Sequence, residues 1–206
     1  RLIAMSTALF IMGCSDEINV TNTTATTTVT TQTTADKGNF DPNHILQVEI
    51  EIDPDDWDTL RHQERTITSI LKGEDCMDGP FDSPYTYFHA DVTIDGQTAV
   101  DSGVRKKGLI GSQSTTKPGL KLNIDEYVEG AELFGVDNIT LNNSVQDPSL
   151  IRQCMGYAVF EAAGIPASKC NFARVAVNGE DYGIYVHVEP VKRAFLRDRF
   201  GDDSGD

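Results

Sequence analysis

Five basic residues lie close together in a chain that is otherwise acidic. The formal net charge is −15, from 32 acidic and 17 basic residues. Between positions 105 and 121, however, the bases are Arg105, Lys106, Lys107, Lys117 and Lys121. They flank a loop rich in glycine, serine and threonine, and cationic groups beside hydroxyls and backbone N–H groups are suited to holding phosphates. One interpretation is a phosphate-binding site, and the other is a solvated sheet face with surface ion pairs.

Strand alternation divides these bases into two sets. Arg105 and Lys107 share one face of their strand and Lys106 takes the other, because successive side chains point to opposite faces. In the following strand, Lys121 lies opposite a face of leucines. We therefore predict that Lys106 does not take part in a phosphate site formed by the other bases.

Arg152 is the next candidate, because it interrupts an apolar helix. A charge in such a place needs a hydrogen-bonded anionic partner. Asp147 lies too close to the helix start to be an obvious choice, which leaves Asp125, Glu189 or a ligand phosphate. A purely structural ion pair remains the alternative.

Other kinds of site are disfavoured. Residues 103–108 begin like a phosphate loop, but Leu109-Ile110 replace its lysine and hydroxyl residue, and no GxGxxG occurs. The sequence has no paired CxxC and its four histidines are scattered, so we predict no metal site in this chain; His187-Val-Glu189 is only a weak hint. The acidity disfavours nucleic-acid binding.

The start of the chain predicts export. Residues 2–12 are an apolar run after Arg1, shorter than the about 20 residues that span a bilayer, and Gly13-Cys14 follows. This layout resembles a bacterial lipoprotein signal, so we expect residues 1–14 to be a signal peptide and Cys14 to be lipidated. The expected location is the bacterial cell envelope, with membrane contact through the lipid alone.

The remaining chain divides into a tether and one domain. Residues 21–34 hold ten threonines in fourteen positions, which cannot form an apolar core. We therefore predict a Thr-rich disordered tether over 15–40 and a folded domain over 41–206.

Three cysteines are left for that domain in an oxidising compartment. We predict that Cys170 forms a disulfide with either Cys76 or Cys154. The sequence does not choose between the two partners.

The domain alternates short strands, turns and helices, which indicates an α+β fold with a mixed or antiparallel sheet. Asp95-Gly96 and Asn178-Gly179 predict hairpin turns. Asp147-Pro148 predicts the start of a helix that ends at Ala163. Because this helix is apolar almost all round, we expect it to be buried at the centre of the domain.

Six ordered blocks resemble the spore coat protein H (CotH) family of atypical, kinase-like proteins, over about residues 43–206. The blocks are Gly103–Gly108, Lys117–Leu122, Asp125–Tyr127, Leu141–Asn143, Gln146–Arg152 and Val177–Pro190. The resemblance implies a kinase-like N-lobe that binds ATP with Mg²⁺ or Mn²⁺, in a chain whose C-lobe is truncated. It implies that Lys121 contacts phosphate and that adenine docks near Glu189. From the charge pattern described above, we expect Arg105, Lys107, Lys117 and Arg152 to belong to the same nucleotide site.

The resemblance also places the catalytic and metal-binding aspartates beyond Asp206. We therefore expect the chain by itself to be inactive and the whole protein to phosphorylate Ser or Thr of a protein partner, possibly basic and serine-rich. The alternative hypothesis is a non-catalytic surface adhesion or structural module with the same fold.

Overall fold

A computed structural model describes residues 39–66, 83–202 and 204. Its seven strands are β1 (Ile45–Ile52), β2 (Phe88–Ile94), β3 (Gln97–Lys107), β4 (Gly119–Asn123), β5 (Asn138–Asn142), β6 (Cys170–Val177) and β7 (Glu180–Val188). The described helices are α1 (Pro54–His62), α2 (Arg152–Ala162) and α3 (Arg193–Phe200).

The strands form a closed barrel in the order β1-β2-β3-β4-β5-β7-β6. Neighbours are antiparallel except for β1 and β6, which run parallel, with Val48 opposite Val175, and so close the barrel. The expected α+β fold with a kinase-like N-lobe is therefore wrong. Local sequence patterns identified the strands, but nothing in them indicates that the first and sixth strands pair.

Alternation of apolar and polar residues produces the barrel core. On β1, Leu46, Val48, Ile50 and Ile52 are buried while the residues between them are exposed. The two hairpin turns lie where their sequences place them: Ile94 pairs with Gln97 and Val177 with Glu180. Asp95 and Gly96 both take positive φ, 47° and 81°, which a short turn of this kind requires.

Helix α1 packs on the barrel directly after β1. The Asp53 side chain accepts hydrogen bonds from the backbone N–H groups of residues 55 and 56, and Pro54 occupies the first helical position. Trp57 and Leu60 are buried in the core, and the Trp57 indole donates to the Tyr182 hydroxyl at 2.9 Å. These contacts hold α1 against the barrel.

Helix α2 differs most from the sequence prediction. It begins at Arg152 rather than near residue 148, because Leu150 takes a positive φ of 63° and interrupts the helical path. None of its residues is buried, and Met155 and Val159 are 55% and 61% exposed. The expectation of a buried central helix is therefore wrong. Among the described residues, no helix is both long and apolar enough to cross a membrane.

Candidate phosphate-binding face

Four cations form one surface, which we call the cationic face: Arg105, Lys107, Lys121 and Lys192. Arg105 on β3 lies directly opposite Lys121 on β4, and Lys107 lies opposite Gly119. Their side chains point outward, because the residues that alternate with them on β4 are fully buried leucines. Lys192, just before α3, is near enough to act electrostatically on Lys121.

No described acid contacts the cations of the cationic face directly, although Asp137 and Glu126 act on Lys121 from a greater distance. Within the described part of the chain, none of the four cations forms an ion pair within 4.0 Å. Burial, followed by the charges of Lys121 and Arg105, lowers the pKa of Lys107 to about 8. Burial and the charges of Lys192 and Arg105 also lower the pKa of Lys121. This mutual repulsion favours an anion on the face.

Two residues on this surface were missed by the sequence analysis. The Asn142 side-chain oxygen accepts a hydrogen bond from the Lys107 ammonium. Asn142 lies within a block of the CotH resemblance, but only the register of β5 brings it to the end of β3. No local sequence pattern predicts that Lys192 lies near Lys121, since its position depends on the path of the chain after β7.

A cavity lies at each end of the cationic face. The α2 cavity, of about 680 Å³, is lined by residues that include Lys107, Asn142, Arg152 and Gln153. The α3 cavity, of about 640 Å³, is lined by residues that include Glu189 and Lys192. Gly119, at the start of β4, lines the α2 cavity. Asn138 lines the α3 cavity and pairs with Asn123, at the end of β4. Lys121 lies on β4 between them.

Two predicted site residues, Lys117 and Glu189, have partners within the fold. The Lys117 ammonium donates to the Ile184 carbonyl at 2.8 Å and lies 5.0 Å from the Tyr185 ring centre, so it is held by β7. Glu189 accepts hydrogen bonds at 2.9 Å from the Lys169 backbone N–H and the Arg199 guanidinium. The Glu189 carboxylate therefore ties α3 to the barrel while it lines the α3 cavity.

Arg152 is exposed rather than enclosed among apolar residues. Its side chain is 75% exposed and its Nε lies 3.4 Å from an Asp147 carboxylate oxygen. The expected partners Asp125 and Glu189 therefore do not pair with Arg152. Its ion-pair partner is Asp147, which the sequence disfavoured because it lies close to the helix start. Asp147 reaches it because the helix starts late, and its carboxylate also accepts from the Arg152 backbone N–H at 3.0 Å.

Lys106 lies inside the barrel, as strand alternation predicts. It is fully buried and its ammonium donates to the Arg61 carbonyl at 2.6 Å, in the last turn of α1. A cation is favourable there, because the carbonyl end of a helix carries partial negative charge. Burial nonetheless lowers the pKa of Lys106.

His187 is also enclosed, at the barrel end beside the α3 cavity. It is 1% exposed, stacks on Phe40 with ring centres 4.2 Å apart, and its Nδ1 bonds to the Asn171 side-chain oxygen at 2.8 Å. Burial lowers the pKa of His187 to about 3. Across the described residues, no group of three or more His, Cys, Asp or Glu side chains is placed to hold a metal ion.

The structure joins Cys154 on α2 to Cys170 at the start of β6, with Cα atoms 5.2 Å apart. This is one of the two pairings that the sequence left open. Cys76, the other possible partner, and Cys14, the predicted lipidation site, lie outside the described residues.

Comparison with known proteins identifies the family. The family described as "CotH kinase protein" matches residues 104–206, which are 103 of the 206 residues. The "Inner spore coat protein H-like protein" of Bacillus subtilis (strain 168) is 33% identical over 90 residues, 40% of this chain and 29% of that protein. "Inner spore coat protein H" of the same organism is 35% identical over 65 residues, 32% of this chain and 18% of that protein. The matched segments thus span less than a third of the length of these relatives. The matched region contains the cationic face and α2, and the chain belongs to the CotH family.

Proposed function

We propose that this chain is the ATP-binding part of an extracytoplasmic protein kinase that transfers phosphate from ATP to Ser or Thr of a protein partner. The observation that carries the proposal is the cationic face. Its four cations have no acidic partner within 4.0 Å among the described residues. In a chain of net charge −15, such a concentration of unpaired positive charge needs an anionic ligand.

The geometry suits the phosphates of a nucleotide. Lys121 lies between two cavities, with Lys107 toward one and Lys192 toward the other. The phosphates would lie along β4, contacted by Lys121 and Arg105, and the base would lie in the α3 cavity beside Glu189. Charge-assisted hydrogen bonds of this kind are about twice as strong as neutral ones.

Divalent metal is assigned to no residue of this chain. The described acids form no group that could hold Mg²⁺ or Mn²⁺. Phosphoryl transfer requires a metal-held phosphate and a group that positions the acceptor hydroxyl. As the family resemblance implies, we propose that residues beyond Asp206 supply both functions, and we assign only nucleotide binding to the cationic face.

The proposed location and partner rest on the relatives and on charge. The two relatives carry spore coat names, which supports a place at the cell surface or envelope for this protein too. We propose that the lipidated Cys14 tethers it there. The acidic surface favours a basic partner, and the transfer proposed here requires serine or threonine in it.

Calorimetric titration with ATP tests the nucleotide site. We expect Lys121→Ala to weaken ATP binding by about 1.5–3 kcal/mol, the usual size of a charge-assisted hydrogen bond. Arg174→Ala is the matched control, because Arg174 is an exposed base on the outside of β6 that pairs with Asp181 at 2.7 Å. Equal effects of the two substitutions would contradict the assignment.

Transfer is tested separately with radiolabelled ATP and a basic, serine-rich peptide. We expect the 206-residue chain to be inactive, and the full-length protein to label the peptide when Mg²⁺ or Mn²⁺ is present. Activity of the 206-residue chain would overturn the assignment of the catalytic groups. Inactivity of both, together with no ATP binding, would favour the non-catalytic adhesion module.

A further inference from the structure

A chain of hydrogen bonds connects the cationic face to α2. Lys107 donates to the Asn142 side-chain oxygen, the Asn142 amide donates to the Gln153 oxygen at 2.8 Å, and the Gln153 amide reaches the Tyr157 hydroxyl at 3.1 Å. An ammonium can only donate, so Asn142 must present its oxygen to Lys107 and its NH₂ group to Gln153. The direction of every bond in this relay is therefore fixed by the lysine.

The relay connects two parts of the molecule that otherwise have little contact. Asn142 ends β5, whereas Gln153 lies in the first turn of α2, and both line the α2 cavity together with Lys107. Helix α2 buries none of its own residues. The disulfide between Cys154 and Cys170 attaches it covalently to β6, at the residue next to Gln153.

We propose that Gln153 is a positioning residue, which through Asn142 holds the Lys107 ammonium at the α2 cavity for a phosphate group, while the Cys154–Cys170 disulfide keeps α2 in place. This inference rests on the proposed function, since it assumes that the cationic face binds phosphate. The relay uses neutral amides, so it orients the lysine without neutralising it. A carboxylate in the place of Asn142 would compete with the ligand for the same charge.

The physical advantage is pre-organisation. A free lysine side chain has four rotatable bonds, and ordering it on binding has an entropic cost. Where Asn142 already orders Lys107, the ligand does not bear that cost. Without Gln153, the Asn142 amide is free to rotate and Lys107 loses a fixed acceptor.

The test compares ATP binding by Gln153→Ala and Met155→Ala in the intact protein. Met155 lies on the same helix and is 55% exposed. Met155→Ala therefore also shortens a side chain of α2 to alanine, but it leaves the hydrogen bonds of the relay intact. We expect Gln153→Ala to weaken ATP binding roughly three- to tenfold, the equivalent of ordering one long side chain. We expect Met155→Ala to bind as the unaltered protein does. Equal affinities for all three proteins would overturn the inference.

A double-mutant cycle separates positioning from general damage. If Gln153 acts through Lys107, then Gln153→Ala causes no further loss of affinity in a protein that already carries Lys107→Ala. Independent, additive losses would overturn the inference, because they would mean that Gln153 acts by another route.

The disulfide adds a second line of evidence. Replacing Cys154 and Cys170 together by serine should reproduce the loss seen with Gln153→Ala, in a protein whose barrel circular dichroism is unchanged. Unaltered ATP affinity in this variant would remove the disulfide from the proposal. If Lys107→Ala itself leaves ATP affinity unchanged while Lys121→Ala lowers it, the proposed function stands and the positioning role of Gln153 fails. If neither lysine matters, the proposed function fails.

Discussion

The barrel interior and the cationic face differ in how they accommodate a lysine, as the neighbouring residues Lys106 and Lys107 show. Lys106 points inward, is fully buried and donates to a backbone carbonyl at the end of α1. Lys107 points outward, where Lys121 and Arg105 repel it and a neutral amide is its hydrogen-bond acceptor. Two consecutive residues of β3 therefore differ: Lys106 donates to the negative end of a helix, whereas Lys107 donates to a neutral amide and lies close to two other cations.

The difference indicates how each region contributes to the protein. Interior side chains are packed within the fold, so substitutions there should change the free energy of unfolding. Groups on the cationic face repel one another, and the proposed function gives them an anionic ligand, so we expect substitutions there to change binding and leave stability nearly intact.

Leu122 and Lys121 are neighbours on β4 that face opposite regions. Leu122 is fully buried, and we expect Leu122→Ala to lower the free energy of unfolding by about 2–5 kcal/mol, through lost apolar contact and a residual cavity. Lys121→Ala should change it by less than about 0.5 kcal/mol. Urea denaturation followed by circular dichroism measures both. A larger loss of stability for Lys121→Ala would contradict the division.

His187 should make the interior sensitive to acid. The pKa of His187 is about 3 in the folded protein against an ordinary value of 6.5, because the buried ring cannot gain a charge. Between these two pH values the unfolded chain binds the proton and the folded one does not, so stability falls as the pH falls. The His187 contribution should approach about 1.4 kcal/mol per pH unit.

The measurement for His187 is the free energy of unfolding against pH, compared between the unaltered protein and His187→Gln. Carboxylates titrate in both proteins, so the difference between the two curves isolates the histidine. Parallel curves from pH 6.5 to pH 3 would show that the ring is protonated in the fold.

Lys107 should make ligand binding sensitive to base. The pKa of Lys107 is about 8, so its ammonium loses its charge as the pH rises through that value. The charge-assisted hydrogen bond to phosphate then becomes a neutral one, which we expect to weaken ATP binding about fivefold. Lys107→Arg should remove most of this fall, since a guanidinium stays protonated. Titration calorimetry above and below pH 8 decides the point; identical pH profiles for both proteins would exclude Lys107 from the site.

Features that depend on a few neighbouring residues, such as side-chain directions on a strand and hairpin turns, could be predicted from the sequence. Alternation placed Arg105 and Lys107 together and Lys106 opposite to them, because the pleat of a strand fixes those directions whatever the rest of the chain does. The hairpin at Asn178-Gly179 follows in the same way from two residues that tolerate positive φ.

Features that depend on distant parts of the chain could not be predicted from the sequence. Nothing in residues 45–52 indicates a parallel partner in residues 170–177, so closure of the barrel could not be predicted. The apolar content of α2 was taken for burial, but apolar content shows only that a helix can be buried, not that this part of the chain covers it. The positions of Asn142 and Lys192 likewise depend on strand order and on the path after β7.

The parallel pairing of β1 with β6 also has a consequence for how the molecule reaches its native state. One side of β1 has no partner until residues 172–177 arrive, so the last step of folding joins segments far apart in sequence and should be slow. During that delay β1 is an open edge that another chain could extend. Its outward positions carry Gln47, Glu49 and Glu51, and two like charges on such an edge repel a second copy. We therefore expect these acids to disfavour pairing of β1 with a second copy before the barrel closes.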